Sequence, residues 1–181
     1  MKQIINLFAV ILLLLSCTSE LDTEQIEHFD FQPVFDVDIL YFDLNNNNLT
    51  DQNGLFRQVV RDTVDLDIFD DGNIRDAFVK AEIKVYYQNT FYRQFDTNFY
   101  FVDEDNHPVD TGNFIIEAAD PSHSEVTGEV VFVYDKDSNP AFVNFRKIIV
   151  EVTVTPDDLP VEDATLHVQS KGTFYTNITV E

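Results

Sequence analysis

The chain has one cysteine in 181 residues and no tryptophan. A lone thiol excludes an intrachain disulfide framework and any cysteine-cluster metal site. Basic residues are scarce too. Eleven Lys+Arg stand against 33 Asp+Glu, a formal net charge of -22. Such a surface repels phosphate backbones, so nucleic acid is excluded as a partner. No apolar run reaches the roughly 20 residues a helix needs to cross a hydrocarbon core of about 30 Å. The Gly-x-Ser-x-Gly elbow of hydrolases and the glycine-rich phosphate loops do not occur. The four histidines, His28, His107, His123 and His167, are scattered and form no i, i+2 or i, i+4 pair.

What is present points to a folded body of about one domain's length. Apolar residues make up 44% of the chain, an ordinary share for a globular protein. Phenylalanine supplies 17 residues and tyrosine seven. Phe gives a large buried area with no polar atom to satisfy, which suits a core built without Trp.

The first residues read MKQIINLFAVILLLLS, with Lys2 ahead of an apolar run from Leu7 to Leu15. Length and flanks fit a secretory signal over residues 1–16. The run ends in Leu14-Leu15-Ser16-Cys17. This resembles the bacterial lipobox, in which an aliphatic and a small residue precede an obligatory cysteine. The resemblance implies that Cys17 is acylated and becomes the mature N-terminus. Two or more acyl chains anchor stably where a single chain is marginal. Thr18, rather than Asp, follows the cysteine, which by the enteric resemblance implies the outer membrane. Glu20 and Asp22 are similar to the surface-export signals of Bacteroidota lipoproteins. Residues 17–33 then read as an acidic tether, too sparse in apolar residues for a helix.

From residue 34 the pattern is apolar/polar alternation, the mark of half-buried strands. It runs through Phe35–Tyr41, Val64–Ile68, Ala81–Tyr87, Phe95–Phe101, Phe114–Ala118, Val130–Tyr134, Ile148–Val154 and Phe174–Val180. In the first of these, Phe35, Val37, Ile39 and Tyr41 share one face. Turn residues cluster at 45–54, 70–73, 103–108, 120–124, 135–140 and 156–163. No window of a dozen residues carries a helical period. The expected fold over residues 34–181 is all-β: a two-sheet antiparallel β-sandwich of eight or nine strands, immunoglobulin-like in architecture. A jelly roll or small barrel remains open.

The sharpest chemical candidate is Asp43, Asn45, Asn47 and Asp51, oxygen donors recurring at positions 1, 3, 5 and 9 of a loop. Hard cations want six to eight oxygens, and the spacing resembles the Asp-x-Asp-x-Asp-Gly loops of calcium-binding repeats. Asn replaces two Asp, Asn48 stands where Gly is usual, and Gly54 takes the place of a twelfth-position Glu. The alternative is a solvated Asn-rich hairpin loop. Further acidic groups are Asp65, Asp67, Asp70 and Asp71; Asp103, Glu104 and Asp105; and Asp135 and Asp137. Asp62-Thr63-Val64 resembles the acceptor for O-glycans on exported Bacteroidota proteins, which would make Thr63 a modification site. Tyr86, Tyr92, Tyr100 and Tyr175 fall opposite the apparent core or near turns, where rings stack on sugars or make interfaces.

These features predict a non-catalytic outer-membrane lipoprotein with no obligatory cofactor, calcium aside. Its partners would be the membrane, through the lipid anchor, and a larger outer-membrane protein complex that it serves as a binding or assembly accessory. The first rival is a surface glycan-binding module, which predicts a tyrosine platform on one sheet face and calcium in the loops. The second is a small hydrolase, which predicts two carboxylates converging in a cleft.

Overall fold

A computed structural model of the chain describes residues 29–53, 55–154 and 163–180. Cys17 and the segment around it lie outside the described residues. The described residues form ten strands: β1 (Phe29–Phe31), β2 (Val34–Asn45), β3 (Val59–Asp65), β4 (Phe78–Asn89), β5 (Phe95–Val102), β6 (Pro108–Ile116), β7 (Val126–Asp135), β8 (Lys147–Val154), β9 (Thr165–Thr176) and β10 (Ile178–Val180). A six-residue helix, α1 (Gly72–Ala77), and a short 3-10 turn (Pro140–Asn144) lie between strands. Asp71 caps α1 by accepting from the Asn73 N–H at 2.8 Å, the usual way of satisfying an orphan donor.

Eight strands form two antiparallel four-stranded sheets, ordered β2-β9-β4-β7 and β3-β8-β5-β6. β1 and β10 pair in a two-stranded sheet that belongs to a separate unit. The pairings β2–β9, β3–β8, β4–β7 and β5–β6 describe one long hairpin that doubles back at 103–107. It is rolled so that successive rungs alternate between the sheets. That is the connectivity of a jelly roll. The two-sheet antiparallel sandwich expected from the alternation is what forms, but its strand order is not the immunoglobulin-like one. The physical reason is that a period of two specifies a buried face for each strand and says nothing about its neighbour. Among the described strands only β5 and β6 are both consecutive in the chain and paired; Val34, by contrast, faces Tyr175.

The inner faces meet in an apolar core. Phe42, Leu44, Ala81, Ile83, Val85, Leu166, Val168 and Phe174 come from one sheet, and Phe95, Phe99, Phe101, Ile148, Val150, Val152 and Val154 from the other. At the end where the 66–77, 103–107 and 136–146 connections gather, the core is closed by rings. Phe69, in the loop between β3 and α1, is 0% exposed. It meets Phe78, Phe145 and Phe174 edge-on at 5.2, 5.4 and 5.8 Å. Phe142 of the 3-10 turn stacks on Tyr134 at 4.1 Å with 9° between planes. Burying one such ring stabilises by about 1.5–3 kcal/mol.

Several boundaries differ from the alternation. The strand expected at Val64–Ile68 runs instead from Val59 to Asp65, because Leu66 and Ile68 leave the sheet to carry Phe69 inward. The strand expected at Phe114–Ala118 begins at Pro108. The last expected strand divides: β9 ends at Thr176, the Asn177 N–H donates to the Ala77 carbonyl at 2.7 Å, and β10 pairs with β1. The expected tether is shorter at its far end, since Phe29–Phe31 is strand.

Candidate functional site

The site begins with an irregularity in β2. Its register against β9 slips between Asp38 and Leu40, so Ile39 and Leu40 are both buried. Such a bulge inserts one residue and reverses the facing of everything after it. Leu40, Phe42 and Leu44 therefore point inward, and Tyr41 turns out to solvent at 69% exposure. This corrects the placement of Tyr41 on the face of Phe35, Val37 and Ile39.

Cross-strand register builds the rest. Tyr41 lies opposite Gln169, Gln169 opposite Tyr86, and Tyr86 opposite Glu129. The row on one side is Asp43, His167, Gln88 and Thr127; on the other it is Asp38, Lys171, Lys84 and Val131. Two clefts border the Tyr41–Gln169–Tyr86 row and share those three residues. The larger, of about 680 Å³, adds Gln88, Thr127, Glu129 and His167. The smaller, of about 500 Å³, adds Asp38, Leu40 and Lys171. Tyr87 forms part of the larger cleft's wall. A Cβ on Gly128, directly opposite, would fall 2.3 Å from its ring, so only glycine lets that ring lie across the strand.

The polar groups on this face are oriented by one another. Lys171 Nζ donates to Asp36 at 2.7 Å and the Thr173 hydroxyl donates to the same carboxylate at 2.8 Å. The Lys171 bond, then that of Thr173, hold the Asp36 carboxyl below its ordinary value; the Asp36 bond likewise raises Lys171. His167 Nδ1 bonds Asp43. Gln88 Nε2 donates to Glu125 at 2.6 Å.

The other sequence candidates are dispersed. Of the proposed calcium ligands, Asp43 stands on the outer face of β2 beside His167. Asn45 Oδ1 accepts from the Asn47 N–H at 2.9 Å, and Asp51 Oδ1 accepts from the N–H groups of Asn53 and Leu55, both at 2.8 Å. The Leu55 bond is the chief cause that lowers the Asp51 carboxyl, opposed by partial desolvation. These oxygens close turns of their own loop, which Leu49 pins to the core. Among the described residues no three or more His, Cys, Asp or Glu gather as a metal-holding group. Thr63 is exposed on edge strand β3, its N–H bonded to the Asp62 side chain.

Acidic turns do converge at one end of the sandwich. Asp65, Asp67, Asp70 and Glu104 line a cleft of about 370 Å³, but Arg146 and Lys147 stand among them. Arg146 Nε meets Asp70 at 2.9 Å. Asp135 and Asp137 lie apart, around Lys136.

Of the four tyrosines singled out from the sequence, Tyr86 lines both clefts. Tyr175 shares its face but is covered by Lys80, whose Nζ sits 4.3 Å from the ring centroid. Tyr100 is on β5 in the other sheet, its hydroxyl 3.4 Å from Glu151. Tyr92 lies in the loop between β4 and β5. Tyr41 was missed because the bulge that turns it outward leaves no mark in the alternation before it.

No family model and no curated protein matches the chain. Solved structures do. The VP2 subviral particle of infectious bursal disease virus aligns at 9% identity and a TM-score of 0.44, over 80% of this chain and 33% of that one. A protein of Parabacteroides distasonis described as secreted aligns at 19% identity and 0.46, over 64% of this chain and 37% of that one. A Desmodium yellow mottle tymovirus structure aligns at 10% identity and 0.32, over 83% and 91%. This chain thus spans about a third of the first two. At these scores the likeness carries no argument about function.

Proposed function

We propose that this protein is a lipid-anchored, non-catalytic glycan-binding module of the bacterial outer membrane, displayed at the cell surface. The observation that carries the proposal is the pair of outward tyrosines, Tyr41 and Tyr86, flanking Gln169 between two clefts on a sheet face opposite the core. Aromatic rings present an apolar face to the C–H face of a sugar. The amides of Gln169 and Gln88 offer donors and acceptors to its hydroxyls. Among the described residues one carboxylate lines each cleft, Glu129 the larger and Asp38 the smaller, and this supports binding over hydrolysis by a carboxylate pair. The lipobox at Leu14–Cys17 supplies the anchor.

The test has two parts. Mass spectrometry of the membrane-extracted protein should find an N-terminal Cys17 carrying acyl chains; an unmodified start removes the anchor. Affinity electrophoresis through gels containing polysaccharides should retard the protein, and a Tyr41→Ala/Tyr86→Ala variant should run unretarded. Unretarded wild type in every gel would end the glycan reading.

A second reading, an accessory docked on a larger envelope protein, is favoured by one other observation. Edge strand β7 leaves Val131 and Val133 44% and 61% exposed. A membrane complex that co-purifies in detergent and is lost on Val133→Lys substitution would favour it.

A further inference from the structure

The geometry of the face says more about the ligand than its class, and the argument that follows rests on the glycan reading above. Tyr41 and Tyr86 stand on β2 and β4, with β9 between them and Gln169 in register with both. Two strand spacings of about 4.8 Å place the rings' strands about 10 Å apart. That is roughly the length of a disaccharide repeat. A sugar chain laid across the strands, rather than along them, therefore meets the two rings with alternate units. The unit between them sits over the Gln169 amide. Among the described residues the cation packed on a ring of this face is Lys80 on Tyr175, not on Tyr41 or Tyr86.

Charge selects further. The chain as a whole carries -22, and the residues lining the two clefts hold Asp38 and Glu129 against Lys171, with His167 beside them. The lining is net negative, and its basic groups are already engaged, Lys171 by Asp36 and His167 by Asp43. The surrounding field disfavours polyanions, and nothing in the lining outweighs it. We infer that the Tyr41–Gln169–Tyr86 row binds an uncharged linear oligosaccharide across the strands, with two stacking subsites that three units fill.

Calorimetry of the acylated full chain in detergent micelles tests this. The probes are neutral gluco-, manno-, xylo- and galacto-oligosaccharides of two to six units, with oligogalacturonate as the polyanion. For the neutral series that binds, affinity should rise about tenfold from two units to three and change little beyond, one added ring stack being worth that much. Tyr41→Ala or Tyr86→Ala should return the three-unit ligand to the two-unit affinity. Tyr175→Ala should leave it unchanged, with circular dichroism showing all variants folded. A steady rise with length, insensitivity to either tyrosine or tighter binding of oligogalacturonate overturns the inference while leaving a glycan-binding protein. Failure of every sugar to bind overturns both.

Discussion

Phe69 offers a direct measure of how the end of the sandwich is closed. It belongs to no strand or helix, yet it is fully buried with rings on several sides. Phe69→Ala removes the ring and leaves a cavity walled by Phe78, Phe142, Phe145 and Phe174. Those neighbours sit on β4, the 3-10 turn, the segment after it and β9, so no single shift collapses the space. The expected cost is about 3–5 kcal/mol, a large part of the 5–15 kcal/mol typical of a domain. For a body of this size it lowers Tm by about 10–15 °C. Phe69→Leu keeps most of the volume and should cost only about 1–1.5 kcal/mol. Urea denaturation followed by far-UV circular dichroism reads both, with an unchanged slope showing that the unfolded state is the same. A loss below about 1.5 kcal/mol for the alanine variant would refute the reasoning, because the loop would then be an appendage rather than part of the core.

Tyr134 is buried with a hydroxyl that has no hydrogen-bond partner, and burial, with Asp110 nearby, pushes its ionisation up. Tyr134→Phe should therefore stabilise by about 1 kcal/mol, seen as a rise of a few degrees in scanning calorimetry; a fall would mean the hydroxyl is satisfied. Gly128→Ala drives a Cβ into the Tyr87 ring, which itself stacks on Phe114 of the facing sheet at 6.0 Å. A loss of about 1–3 kcal/mol is expected, and a neutral result would show that the ring swings away freely. Calcium should leave Tm unmoved, because the side-chain oxygens of Asn45, Asn48 and Asp51 already accept backbone N–H bonds. Saturation at a hundred times Kd would instead add about 2.7 kcal/mol. Backbone bonds hold the carboxyls of Asp51, Asp103 and Asp120 below the ordinary 3.8, and side-chain bonds do the same for Asp36. Their folded values lie below their unfolded ones, so their stabilisation is present above 3.8 and lost as pH falls through the lowered values. Carbon-detected NMR titrations giving midpoints at or above 3.8 would contradict this.

The fold class was legible because half-buried strands write their burial into every second residue. Ala81, Ile83 and Val85 against Lys80, Glu82 and Lys84 leave no other assignment, and β4 forms where they stand. β9 was harder. Its inward positions include Ser170 and Gly172, small residues that blur the apolar period, and Gly172 lies under the Ile39 and Phe174 side chains. Strand order was illegible because nearly every pairing joins distant segments. The binding face was half legible: Tyr86 falls opposite the core by simple alternation, while Tyr41 depends on a bulge that only pairing with β9 defines. In the sequence the acidic turns look like places for a cation. Turn geometry explains them more simply, since Asp51, Asp103 and Asp120 each accept backbone N–H groups of their own loops.

The rolled hairpin also constrains how the molecule comes into being. β9 is the last strand of the sandwich to be synthesised, yet it lies between β2 and β4 in the middle of its sheet. Until it arrives, β2 has no strand to pair with, and the first sheet cannot assemble in the order of translation. A chain threaded through a membrane from its N-terminus would keep most of its apolar strand faces uncovered until residues 165–176 emerge. Non-local pairing of this kind also slows folding. The net charge of -22 adds mutual repulsion between chains that are still open.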